Sequence, residues 1–105
     1  MRATVTDDGR VALVGRLDVR GAPAARDALH AALAGGGGGP LLVDLSGVEL
    51  LDATGLGVLV GVHRRARLQD RELVLCDARP RVARLLSMTR LDRVIAVQRR
   101  RSVPA

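Results

Sequence analysis

Thr54 is the side chain whose surroundings in the sequence point most directly to chemistry. It stands in Asp52-Ala53-Thr54-Gly55-Leu56-Gly57, at the head of a run with helical periodicity. A hydroxyl at a helix start can cap the free amides of the first turn. A phosphate carried on it would meet those same amides and the positive end of the helix dipole. Gly55 and Gly57 would leave such a group unshielded. From the local residues alone, a plain capping Thr and a modified Thr both fit.

The other reactive groups are poorly placed for catalysis. Cys76 lies in Leu73-Val74-Leu75-Cys76, the setting of a small buried hydrophobe, and as the one cysteine it has no internal disulfide partner. His30 and His63 fall within helical runs with no second His or Cys at ligand spacing, so no metal site is expected. No nucleophile-base pairing is recognisable, and the chain reads as a non-enzyme. Gly55-x-Gly57-x-x-x-Gly61, with Asp77 about 20 residues on, loosely matches a dinucleotide fingerprint. The glycines of that fingerprint follow their strand directly, whereas Ser46 to Thr54 intervene here, so no cofactor is expected. The run Gly35 to Gly39 before Pro40 lacks the Lys-Ser or Lys-Thr of a phosphate-binding loop and reads as a connector.

The elements that must position Thr54 follow from periodicity. Residues 2 to 6 and 10 to 17 carry β-branched and alternating residues around Asp8-Gly9, a hairpin turn signal. Pro23 suits the first turn of a helix running to Ala34, with Ala25, Ala28, Leu29, Ala32 and Leu33 on one face. Leu41 to Leu45 is a nearly continuous apolar run, as expected of a strand covered on both faces, and Asp44 near its end reads as structural. Ser46 to Asp52 is expected to be a loop. A helix follows from Thr54 to about Gln69, with Leu56, Leu59, Val60, His63, Ala66 and Arg67 as the inner stripe and its margins. Glu72 to Cys76 reads as a strand, Pro80 to Met88 as a helix, and Val94 to Val97 as a last strand. The order β-β-α-β-α-β-α-β implies an α/β fold, with a mainly parallel sheet of about five strands and an antiparallel pair at its start.

Composition sets the outer limits. A chain of 105 residues suits one domain, and without Phe, Tyr or Trp its core must be aliphatic. One domain is expected over 1–98, followed by a disordered basic tail over 99–105. The net charge of +6 is carried by arginines alone, three of them Arg99 to Arg101. A small nucleic-acid-binding protein would use such charge, but stacking aromatics and a recognition-helix motif are missing. No apolar run approaches the roughly 20 residues of a membrane span, and the start lacks a signal-peptide core, so a cytoplasmic protein without membrane contact is expected.

The stretch Val43-Asp44-Leu45-Ser46, followed by Asp52-Ala53-Thr54-Gly55-Leu56-Gly57, resembles the signature of STAS domains of the anti-sigma factor antagonist family. There, Asp-Ser-Ser/Thr-Gly-Leu-Gly follows a strand of the form Val-Asp-Leu-Ser. Gly15-Arg16-Leu17-Asp18 and Leu91-Asp92-Arg93-Val94 are similar to two further family elements. The likeness therefore covers most of the chain. Two residues depart from the pattern. Ala53 replaces a frequent Ser and leaves Thr54 as the lone phosphoacceptor, and Arg90 replaces a Gly at a helix end that favours positive φ.

The resemblance implies partner switching. The unphosphorylated protein would bind an anti-sigma factor that is a serine/threonine kinase and so free a sigma factor for transcription. Phosphorylation of Thr54 would reverse this, and a metal-dependent protein phosphatase would restore the binding form. It further implies that Asp18 and Asp52 lie near Thr54, with Ala53, Gly55, Leu56 and Gly57 completing the binding surface. Asp18 as a turn residue and Asp52 as a helix-start acid are the plainer alternatives. A STAS module that scaffolds a larger sensory complex without being phosphorylated is the rival function.

Overall fold

The structure, a computed structural model, describes residues 1–35 and 37–98, so the expected tail over 99–105 lies outside the described residues. Among the described residues the chain forms β1 (Arg2–Val5), β2 (Val11–Leu17), α1 (Ala22–Ala34), β3 (Leu41–Leu51), α2 (Ala53–Leu68), β4 (Leu73–Cys76), α3 (Pro80–Met88) and β5 (Ala96–Gln98). The strands form one sheet in sequence order. β1 runs antiparallel to β2 and every other neighbouring pair is parallel. The α/β reading with an antiparallel start is therefore correct. No helix among the described residues is long and apolar enough to cross a membrane.

Register explains how an aliphatic core suffices. Val11, Val43, Leu75 and Val97 align across β2 to β5. They pack with Ala25 and Leu29 of α1, Leu59 and Val62 of α2, and Val82 and Leu86 of α3 into a single cluster. Alternation sends the next row, Ala12, Asp44, Cys76 and Gln98, to the opposite face. Cys76 is buried there and donates its thiol toward Val74 O at 3.8 Å.

β3 corrects the expectation of a loop over Ser46 to Asp52, because the strand continues to Leu51. Val11 pairs with Val43 and Leu17 with Leu51, so β3 spends two more residues than β2 over the same length. Two bulges absorb the excess, and each re-aims the chain. The buried positions thus run Leu45, Val48, Leu51 at intervals of three rather than two. At the first bulge the Ser46 amide donates to Asp44 Oδ1 at 2.8 Å, and its carbonyl accepts from Arg79 Nε at 2.7 Å. Asp44 is indeed structural, but it sits within the strand rather than at its end.

The start of the last strand also differs. The last strand starts at Ala96 rather than Val94, because a short 3-10 turn at Leu91–Arg93 extends through the Val94 and Ile95 amides, which donate to Leu91 O at 3.0 and 2.8 Å. Arg90, just past the end of α3, has φ 61° and ψ 18°. A residue with a Cβ there costs about 1–2 kcal/mol relative to glycine.

Candidate functional site

β2 and β3 end side by side at the pair Leu17 and Leu51. Asp18 and Asp52 are the residues immediately after them, so two parallel strands deliver two carboxylates to one end of the sheet. Each carboxylate organises the turn that follows. Asp18 Oδ1 accepts from the Arg20 and Gly21 amides, both at 3.0 Å, while its carbonyl accepts from the Ala22 amide at 2.8 Å at the start of α1. These two amides, that of Gly21 above all, hold the Asp18 carboxyl below the usual aspartate value. Asp52 has extended backbone and its Oδ1 accepts from the Gly55 amide at 2.9 Å, which makes it the N-cap of α2.

This corrects the expected helix start at Thr54 and removes the capping alternative for its hydroxyl. Asp52 is the cap, Ala53 the first helical residue and Thr54 the second. Thr54 is therefore relieved of capping, and both it and Ala53 are exposed. The amides of Ala53 and Thr54 belong to the helix end, where no carbonyl of an earlier turn exists to take them. An oxyanion attached at Thr54 would lie at the positive end of the helix dipole.

Gly55 corrects a second expectation, for it shields nothing less than a backbone contact. It is buried, and a Cβ on it would lie 2.2 Å from Leu17 O and 2.7 Å from Leu51 Cδ1. The absence of a side chain lets the first turn of α2 press directly against the ends of β2 and β3. Gly21 does the same for α1, since a Cβ there would lie 2.1 Å from Arg16 O. Sequence reasoning missed Gly21, whose only signal was a glycine three residues after Asp18. Leu56 is half-buried against the core, and Gly57 is exposed with nothing within 4 Å of an added Cβ.

The inner face of α2 is Gly55, Val58, Leu59, Val62 and Ala66; of the expected stripe and margins Leu59 and Ala66 are buried, whereas Leu56, Val60 and His63 are half-buried and Arg67 is exposed. The tight seat of Gly55 sets this phase, one residue earlier than the apolar periodicity suggests. The outward turn carries Thr54, Gly57, Gly61, Arg64, Arg65 and Leu68 along a groove shared with α1.

Comparison with known proteins agrees with this architecture. The family model described as "Mlab, STAS domain" matches residues 1–98. The anti-sigma-B factor antagonist of Listeria monocytogenes is 34% identical over 93 residues, covering 89% of this chain and 81% of that protein. That of Bacillus subtilis is 34% identical over 91 residues, covering 87% and 82%. Among solved structures, an anti-sigma factor antagonist from Mycobacterium paratuberculosis superposes with a TM-score of 0.78 at 27% identity, covering 92% of this chain and 84% of that one. A putative anti-sigma factor antagonist from Thermotoga maritima gives a TM-score of 0.74 at 25% identity, with the same coverage of 92% and 84%. With the family model matched over residues 1–98 and these relatives covered over most of their length, the chain belongs to the STAS domain family, alongside the anti-sigma factor antagonists.

Proposed function

We propose that this chain is a cytoplasmic anti-sigma factor antagonist switched by phosphorylation at Thr54. Unphosphorylated, it binds an anti-sigma factor that is a serine/threonine kinase, and the sigma factor is released to transcription. The kinase transfers the γ-phosphoryl group of ATP to Thr54 Oγ1, the hydroxyl proton leaves to a base of the kinase, and ADP departs. A metal-dependent phosphatase hydrolyses the phosphothreonine and regenerates the binding form. ATP and magnesium belong to the kinase, so the chain itself needs no cofactor, and its role is regulatory binding rather than catalysis.

The observation that carries this reading is the division of labour at the start of α2. Asp52 caps the helix, which leaves the Thr54 hydroxyl exposed and free for a partner. Phosphate adds about −1.5 to −2 charges at neutral pH, which a helix N-terminus tolerates. At an interface the same charge must be desolvated, and disrupting a good buried polar contact costs on the order of 2–5 kcal/mol, about 30- to 5000-fold in affinity. Asp18 and Asp52 hold the two loops that present Thr54, and Ala53, Gly55, Leu56 and Gly57 shape the surface around it. Incubation with the kinase and ATP, followed by mass spectrometry, tests the assignment. A single phosphate on Thr54, lost in Thr54→Ala, supports it, and phosphate on Ser46 refutes it.

A further inference from the structure

Beyond the phosphorylation site, α1 and α2 flank a groove of about 570 Å³ with Thr54 at one end and Leu68 at the other. From Thr54 to Leu68 the helix rises about 21 Å, or four turns. The groove has a basic rim of Arg26, Arg64 and Arg65, with His30 beside them, and neither Asp nor Glu lines it. Among the described residues the ion pairs involve Arg10 alone, so these three guanidinium groups lack a carboxylate partner. Along the middle of the groove, Gly57 and Gly61 stand one turn apart, and an added Cβ at either meets nothing within 4 Å. Another backbone can approach closely there. Leu68 is 87% exposed at the far end, an apolar anchor without a partner. A chain with no aromatic residues offers no stacking platform to nucleic acid, whereas an open floor between arginine-bearing walls fits a helix with apolar and acidic faces.

We propose that the groove between α1 and α2 seats an acidic amphipathic helix of the protein partner, its apolar side over Gly57, Gly61 and Leu68 and its carboxylates on Arg26, Arg64 and Arg65. The proposal rests on the switch reading and gives it a physical form. A phosphate on Thr54 enters the same groove at its end and repels the carboxylates of the acidic helix seated there, so modification competes with the partner for one surface.

The test uses the full chain and two synthetic amphipathic helical peptides, one Leu/Glu and the other identical except for Lys in place of Glu. Binding is read by fluorescence anisotropy and mapped by NMR amide shifts. The Glu peptide should bind at least about tenfold more tightly than the Lys peptide, weaken as salt rises, and shift the amides of Gly57, Gly61 and Arg65. Gly61→Leu, which fills the groove on an exposed helix face, and the pair Arg64→Glu with Arg65→Glu should each weaken it about tenfold while the circular dichroism spectrum stays unchanged. Absence of binding, equal affinity for both peptides, shifts confined to Arg79, Arg81 and Arg84, or a tighter complex with a DNA duplex would each overturn the proposal. An anti-sigma kinase that phosphorylates Thr54 and responds to that phosphate, yet ignores Gly61→Leu, overturns the groove and leaves the switch standing. A chain that holds the Glu peptide in the groove but binds no anti-sigma factor overturns the switch and leaves the groove.

Discussion

Gly55→Ala adds one methyl group to the second helix, and its effect can be worked out from two opposing contributions. In an open helical position the change gains about 1 kcal/mol, because alanine loses less backbone freedom than glycine and shields the helix. At Gly55 the methyl would lie 2.2 Å from Leu17 O, 2.7 Å from Leu51 Cδ1 and 2.8 Å from Leu17 Cγ. The first of these is backbone, held by the register of Leu17 with Leu51, and cannot rotate away. Relief requires the start of α2 to lift from the sheet, lengthening the Asp52 amide bond to Leu17 O, which is already 3.4 Å. Overpacking of this kind costs about 3 kcal/mol at the upper end of its usual range, so the net loss is about 2 kcal/mol. Gly57→Ala lies two residues further along the same helix with nothing within 4 Å, and should gain about 1 kcal/mol. Urea unfolding followed by circular dichroism measures both. A destabilised Gly57→Ala, or a Gly55→Ala as stable as the wild type, would refute the claim that α2 is seated backbone to backbone on β2 and β3.

Asp52→Ala removes the acceptor for the Gly55 amide and should cost about 1 kcal/mol, while Asp52→Asn, which can still accept, should cost little; thermal unfolding distinguishes them. Asp18 has a lowered folded-state pKa, so its contribution is fully present above the unfolded value of about 4 and is lost as pH falls through the lower folded value. Acid titration of Asp18→Asn should accordingly show a shallower fall in stability below pH about 4 than the wild type, and a parallel curve would contradict the two amide bonds. Burial raises the Cys76 thiol pKa, so alkylation at pH 8 should be slow in the native protein and rapid in denaturant; equal rates would place Cys76 at the surface.

Where local chemistry and tertiary packing agree, the elements were legible in the residues. Asp8-Gly9 turned the hairpin, with Gly9 at φ 84°, and Pro80 opened α3 while Val82 and Leu86 turned inward. β3 was cut short at Leu45 because Ser46, Gly47 and Glu49 interrupt the alternation that identifies a strand. Its bulges change the period from two to three, and only pairing with β2 reveals them. The face of α2 was read one residue out of phase for a related reason. Hydrophobic periodicity assigns glycine no side, yet Gly55 is buried where a Cβ would lie 2.2 Å from Leu17 O. At the site, the motif pointed to Thr54, Asp18 and Asp52, and the Asp52 cap is a local bond legible as a helix-start acid, but the need for Gly21 depends on how the turn after β2 folds back onto Arg16 O. The basic rim of the groove stayed hidden because Arg26 and Arg65 meet only when α1 packs beside α2.

The most direct measurement is the affinity of the chain for its anti-sigma factor kinase before and after stoichiometric phosphorylation of Thr54, with circular dichroism recorded on both samples. The expected result is a loss of about 30-fold or more in affinity with an unchanged spectrum, and with Thr54→Ala binding as the unmodified wild type does. Full modification of Thr54 with undiminished affinity would contradict the switch.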